Sequence, residues 1–204
     1  MSVVVDFYYD LVSPNVYMAN KVIPEIAERT GATMNYIPFL LGGVMKATNN
    51  NPPLVTYAPV QAKIEYIKLE MKRFIEKHSL TKFRMNPYFP FNSLMPMRAA
   101  VAAQMDGALQ DYIAAVEKLV WEKRVKFDDP EIFVEALTSE GLDGAGLLER
   151  TQDPAVKARL VENTNAAVER GAFGAPTFFV GDEMFFGKDR LDALEEEIIA
   201  AGAK

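Results

Sequence analysis

Ser13 and Pro14, in the stretch YYDLVSPNVYMAN, stand where a strand hands over to a helix. Ala175 and Pro176, in GAFGAPTFFV, stand just before another strand. A serine at a helix start can simply cap the first turn. The same place has open backbone N–H groups and a partial positive charge, which suit an anion, a thiolate included. Proline belongs at the start or edge of a strand. If the Ala175–Pro176 bond is cis, the backbone of Ala175 is free to pair with an extended ligand. Taken singly, the two features read as a cap and a trans strand start.

The chain cannot supply a thiolate itself. Its 204 residues contain no cysteine and one histidine, His78 in EKHSL, which reads as a surface residue near a helix end. Disulfides, thiolate metal sites and an enzyme-borne thiol are therefore excluded. A Ser-His-Asp triad would need His78, and nothing places it beside a nucleophile; no metal site is expected. Any thiol must be borrowed, and a free one of pKa ~8.5 is only a few per cent ionised at neutral pH. Making it mostly thiolate takes a pKa lower by roughly two, about 2.7 kcal/mol. A helix start contributes ~0.3–1 kcal/mol, up to ~2 when partly buried, and a hydroxyl hydrogen bond to an anion ~1.5–3. Together they suffice. Ser13 has no evident base beside it, so it reads as a stabiliser rather than a nucleophile.

Bulk composition fits that picture. Half the residues are apolar and a quarter charged, as in a globular protein with a real core. The net charge of -6 argues against nucleic acid. No apolar run reaches a membrane-spanning length, so no membrane partner is expected. MSVVVDFYYD lacks the features of a signal peptide, and AGAK is no prenylation box or peroxisomal tag. A cytoplasmic location is expected.

The elements that must position these residues lie at the two chain ends. Val3, Val5 and Phe7 alternate with Val4, Asp6 and Tyr8 in a largely buried first strand. Val16, Ala19, Ile23 and Ala27 follow at helical spacing up to Gly31, with a kink at Pro24. Residues 33–39 supply a second strand, which completes a βαβ unit. Residues 44–56 read as a polar, proline-bearing loop. From about 57 to 170 the chain reads as helices, with packing stripes at Ile64, Ile67, Met71 and Phe74 and at Leu109, Tyr112, Val116 and Leu119. Strands return at Thr177–Val180 and Met184–Phe186 around a tight turn. Asp189 is placed to cap a last helix whose apolar face is Leu191, Leu194, Ile198 and Ile199.

This layout resembles an α/β thioredoxin-like fold with an all-helical insertion, the topology of bacterial disulfide oxidoreductases. Residues 1–42 and 172–204 form the thioredoxin-like domain and 43–171 the inserted helical domain. Redox members carry Cys-x-x-Cys where this chain has Ser13-Pro14-Asn15-Val16, so disulfide exchange is excluded. FYYDLVSPNVYMA, NNNPP, FPFN with Arg98 downstream, RGAFGAPTFFV and FFGKDRL resemble the 2-hydroxychromene-2-carboxylate isomerase family, relatives of the kappa-class glutathione transferases. The resemblance runs over nearly the whole chain; in residues 100–160 only the helical character agrees.

The resemblance implies a glutathione-dependent isomerase that interconverts 2-hydroxychromene-2-carboxylate and trans-o-hydroxybenzylidenepyruvate in aromatic catabolism. The implied route is reversible thiolate addition, bond rotation and thiolate loss. It assigns Ser13 to the glutathione sulfur, Asn50 to the site wall, Ala175 before Pro176 to the tripeptide backbone, and Lys188 with Asp189 to the γ-glutamyl end. Relatives usually have serine or asparagine at the Lys188 position; a lysine there could take a carboxylate. For a small aromatic acid, Tyr88, Phe89 and Phe91 offer an apolar wall, and Lys46 and Lys63 offer charge. Each of these aromatics could equally be core, and each lysine a solvated surface residue. Arg98 could instead tie the helical block together. A homodimer is implied as well. The competing readings are a kappa-type transferase, which leaves its product attached to glutathione, and a non-catalytic thioredoxin-fold binding protein.

Overall fold

The two chain segments richest in large apolar residues, VVDFYY and TFFV, lie side by side at the centre of the sheet. In the computed structural model, which describes residues 2–203, they form β1 (Val4–Tyr9) and β3 (Thr177–Val180), paired antiparallel. β2 (Thr33–Pro38) runs parallel to β1 on one edge, and β4 (Glu183–Phe186) antiparallel to β3 on the other. The order is β2-β1-β3-β4. Covered on both faces, β3 is buried at all four positions, whereas β4 is mostly exposed. Register sets Phe7 between Tyr36 and Phe178, with ring centroids 5.1 and 4.7 Å away.

The crossover from β1 to β2 differs from the single kinked helix expected. It is two helices, α1 (Pro14–Asn20) and α2 (Ile23–Thr30). Pro24 falls in the first turn of α2, where its missing N–H costs nothing. The chain therefore breaks and restarts instead of bending. Gly31, at φ 69°, ends α2 in the left-handed conformation that glycine tolerates.

Residues 44–56, read from sequence as a loop, are largely helical. α3 (Leu41–Ala47) and α4 (Pro53–Thr56) occupy them. The start of α3 has no side-chain cap of its own. Instead the Leu40 N–H donates to Thr164 Oγ1 at 3.0 Å and the Leu41 N–H to Asp10 Oδ2 at 2.8 Å. Both acceptors are distant in sequence, so no local signal announced the helix. The expected division at 42/43 falls inside α3.

α5 (Gln61–Lys77), α6 (Leu94–Met105) and α7 (Leu109–Glu117) follow, the last running into a π-helical turn at Lys118–Glu122. α8 (Pro130–Ser139), α9 (Gly144–Arg150) and α10 (Pro154–Glu169) are each capped by an aspartate: Asp129, Asp143 and Asp153. Alanine-rich α6 is the hub, packing on α7, α9 and α10. Of the α5 stripe only Phe74 is fully buried; Ile64, Ile67 and Met71 are half-buried. A 3-10 turn at Lys188–Arg190 leads into α11 (Leu191–Gly202). Two expectations fail there. Asp189 does not cap α11, because its carboxylate is taken by Lys188, and Ile199 is exposed while Leu191, Leu194 and Ile198 are buried.

One continuous apolar core joins sheet and helices. Trp121, the single tryptophan, lies fully buried between them, and its Nε1–H donates to the Leu11 carbonyl at 3.1 Å. Trp121→Phe should lower unfolding free energy by about 1–3 kcal/mol through the orphaned carbonyl. Trp121→Ala should cost about 3–5 kcal/mol. Urea titrations followed by circular dichroism will check both, since fluorescence is lost with the residue.

Candidate functional site

The turn from Asp10 to Ser13 joins β1 to α1, and its polar groups are matched one by one. The Ser13 N–H donates to the Asp10 carbonyl at 3.0 Å. The Val12 N–H donates to Asp10 Oδ1 at 3.0 Å, an Asx turn. Asp10 Oδ2 accepts the Leu41 N–H and, at 2.7 Å, the Ser93 hydroxyl. The Leu11 N–H reaches Met97 Sδ at 3.4 Å, and Trp121 holds the Leu11 carbonyl. Three separate parts of the helical region thus fix the turn that aims Ser13.

Ser13 is buried, and its hydroxyl does not cap α1. It donates to the Ala175 carbonyl at 3.3 Å, long for an O–H···O bond and so readily surrendered. No imidazole stands there. His78 instead ends α5, with its ring 4.4 Å from Phe74, and burial, then Lys77, holds it below the ordinary histidine range. At the start of α1, Pro14 has no N–H, and the Val16 and Tyr17 N–H groups both go to the Ser13 carbonyl. Among the described residues that leaves the Asn15 N–H as the donor no protein group takes.

The Ala175–Pro176 bond is cis. The carbonyl of Pro176 accepts the Gly187 N–H at 2.9 Å, which brings the 3-10 turn of Lys188 and Asp189 beside α1. From the other side, Asn50 Nδ2 donates to the Phe173 carbonyl at 2.9 Å. A Cβ on Gly174 would come within 2.6 Å of the Phe186 ring, so a side chain there would have to displace that exposed ring. Ser13, Asn50, Ala175, Pro176, Lys188 and Asp189 are therefore linked through residues 173–176 and 187–189. Lys188, with Phe74, Lys77, His78 and Asp189, lines a cleft of about 320 Å³.

The other expected residues are less tightly tied to this centre. Phe89 is half-buried, 6.0 Å from Trp121, and Phe91 packs on the core. Tyr88 and Lys46 are exposed, and Lys63 lies 4.4 Å over the Tyr57 ring. Arg98 is half-buried within α6, with no ion pair among the described residues. No described contact joins Lys46, Lys63 or Tyr88 to Ser13.

Four residues escaped the sequence reading. Asp10, Ser93 and Asn86 are buried, and Asn86 Nδ2 bridges the Val120 and Val125 carbonyls at 2.9 Å each. Glu117 is buried behind α1, 2.8 Å from the Lys21 ammonium and 2.8 Å from the Asn20 amide. Burial pushes its carboxyl up to about 7, and those two partners offset it only in part. Of the four, Asp10 had a readable signal: an aspartate at a strand end, three residues before Ser-Pro, is an Asx-turn pattern.

The model of the DSBA-like thioredoxin domain matches residues 4–199, which defines a thioredoxin-fold protein of the DsbA-like class. A 2-hydroxychromene-2-carboxylate isomerase from Pseudomonas putida is 31% identical, with 94% of this chain and 92% of that protein covered. A glutathione S-transferase kappa 1 from Caenorhabditis elegans is 30% identical, with 94% and 89% covered. The solved structure of a selenomethionine 2-hydroxychromene-2-carboxylate isomerase superposes with a TM-score of 0.80 at 28% identity, covering 96% of this chain and 94% of that one. A probable DsbA oxidoreductase from Streptomyces coelicolor, at 16% identity and a TM-score of 0.78, shares the fold. Within the DsbA-like class the chain belongs to the 2-hydroxychromene-2-carboxylate isomerase family, an enzyme family related to the kappa glutathione transferases. No helix among the described residues is long and apolar enough to cross a membrane.

Burial raises the Asp10 carboxyl from 3.8 to about 6, against the pull of the Val12, Leu41 and Ser93 donors. Between those values the folded protein binds more protons than the unfolded chain, so this group's contribution to stability falls as pH rises and is flat above about 6. Asp10→Asn cannot ionise. Its stability deficit relative to wild type should therefore shrink by on the order of 2–3 kcal/mol as pH rises through that window. Urea midpoints across the window will show this; a constant deficit contradicts it.

Proposed function

We propose that this protein is a glutathione-dependent isomerase of small aromatic acids, acting on 2-hydroxychromene-2-carboxylate and its ring-opened trans-o-hydroxybenzylidenepyruvate. The observation that carries this reading is the buried Ser13 hydroxyl, held by one long bond to the carbonyl beside cis-Pro176. Three features of the chain fit a tripeptide thiol. The Ala175 N–H takes no backbone partner among the described residues, the Asn15 N–H is open, and Lys188 is a buried ammonium with one carboxylate partner.

Bound there, glutathione supplies a nucleophilic sulfur that can add reversibly to a conjugated carbon. The protein's own part is to keep that sulfur anionic and the substrate flat. α1 has only seven residues, so its dipole contributes less than a long helix would. The Ser13 hydroxyl, turned from Ala175, and the Asn15 N–H take the larger share, since hydrogen bonds to charged groups are worth ~1.5–3 kcal/mol. Phe89 is a wall candidate connected to this centre through Trp121 and Leu11, and Tyr88 extends the wall. Lys46 and Lys63 are the cations proposed for the substrate carboxylate; Lys63 would have to leave Tyr57. Asn50 braces the 173–176 segment. The reading includes a cytoplasmic location and a homodimer; the exposed Leu54, Val55, Val60, Tyr66 and Leu69 in and around α4 and α5 support the homodimer.

A kappa-type conjugating enzyme is the second reading, because the 30% identity to such a transferase nearly equals the 31% to an isomerase. Ultraviolet spectra of 2-hydroxychromene-2-carboxylate should change faster with protein and glutathione together than with either alone. Ser13→Ala should slow turnover about 10- to 100-fold. No acceleration over the uncatalysed rate removes this substrate, and conjugation of an aryl halide at a comparable rate favours the transferase.

A further inference from the structure

Seven residues are too few for a helix to stand alone in water, so α1 depends on what grips it. Among the described residues, every side-chain hydrogen bond or ion pair from residues 14–21 goes to Glu117, Glu122 or Tyr36. The Tyr17 hydroxyl donates to Glu122 Oε1 at 3.1 Å and the Asn20 amide to Glu117 Oε1 at 2.8 Å. The Lys21 ammonium lies 2.8 Å from Glu117 Oε2. Between the two glutamates, Trp121 holds the Leu11 carbonyl. One short segment, 117–122, thus grips the chain on both sides of Ser13. It includes the π-helical turn, closed by the Lys123 N–H on the Lys118 carbonyl at 2.9 Å, and such turns recur at functional sites. In an α-helix Glu117 and Glu122 would point about 140° apart. The wider turn lets both reach α1.

Glu117 is the adjustable part of that grip. Its side chain is 1% exposed, whereas that of Lys21 is 33% exposed. Tyr9 of β1, Tyr17 of α1 and Tyr36 of β2 also lie close by, and burial holds all three phenols above the ordinary range, so they stay neutral. The charges that act on Glu117 are therefore Lys21 and, with opposite effect, Glu122. Arg84 lies beyond Tyr17, and Lys118 turns to Glu140. Arg98, the one ionisable side chain of α6, makes no ion pair among the described residues. Burial brings the Glu117 carboxyl up to about 7, so it exchanges its proton near neutral pH. Once neutral it no longer holds the ammonium, and Lys21 can turn to water.

We infer that Glu117 is a positioning residue for Ser13. As an anion it fixes the C-terminal end of α1 through Asn20 and Lys21; a proton releases Lys21 and loosens the helix that Ser13 opens. The inference rests on the glutathione reading above and adds a proton-controlled grip on the same site.

Two measurements on the full-length protein test this. Trp121 is the single tryptophan and sits within the grip, so its fluorescence reads the state of Glu117 without any thiol. Wild type should show a transition near pH 7. Glu117→Gln, which fills the same space and cannot ionise, should abolish it. Asp10→Asn, which removes the neighbouring titration at about 6, should keep it. Lys21→Gln, which removes the cation that favours the anion, should move it up by ~0.5 pH or more. Calorimetric titration with glutathione then reads the site. Glu117→Gln should bind within about 2-fold of wild type at about pH 6 and at least ~5-fold more weakly at about pH 8. A transition that survives in Glu117→Gln, or that ignores the loss of Lys21, overturns the inference. So does a binding deficit equal at the two pH values, which a merely structural glutamate would give, or no deficit at either. All of these leave the glutathione reading standing. Glutathione that fails to bind wild type at either pH overturns both.

Discussion

A buried carboxylate tolerates ionisation only if donors surround it, and Asp10 collects its donors from three places in the chain. Val12 comes from the turn itself, Leu41 from the start of α3 and Ser93 from the residue that precedes α6. Meeting that one requirement docks α3 and α6 on the end of β1 and fixes the path of residues 10–13. Trp121 and Met97 complete the grip on Leu11. The packing of these helices is therefore more than a cover. It holds the turn from which Ser13 projects.

With the turn held, the place proposed for a borrowed thiol takes its shape in a chain that has no cysteine. The serine hydroxyl meets the cis-proline segment through a weak bond, and the first turn of α1 keeps one amide unclaimed. Behind α1, Glu117 and Lys21 form a partly buried pair with Asn20, to which the Tyr36 hydroxyl donates at 2.8 Å. That pair braces the C-terminal end of α1. The turn of Gly187 and Lys188 brings a cation up to α1. The site is thus assembled from both ends of the sequence, and neither end contains it alone.

Much of the fold was legible where signals are local. The apolar runs of β1 and β3, the Asp-Pro starts of α8 and α10, and the Gly31 stop are each written in neighbouring residues. Ser13 and Pro176 stood out as a strand–helix junction and a strand start. What escaped depends on distant partners. α3 begins on acceptors from residues 10 and 164, and Asp189 abandons capping for an ammonium one residue away. Glu117 carries no mark distinguishing it from a surface glutamate until α1 and β2 close over it. The Lys188 departure was visible in the sequence, but its burial on Phe74 was not.

The central claim is that Ser13 and the amide beyond it hold a borrowed thiol as its anion. A pH titration of thiolate absorbance for glutathione bound to the wild-type protein and to Ser13→Ala measures this directly. The account predicts a bound thiol pKa about two below the free value of ~8.5 in wild type, and a return of at least ~1 toward it in the variant. A bound thiol that titrates like the free one, or that ignores the loss of the hydroxyl, contradicts it.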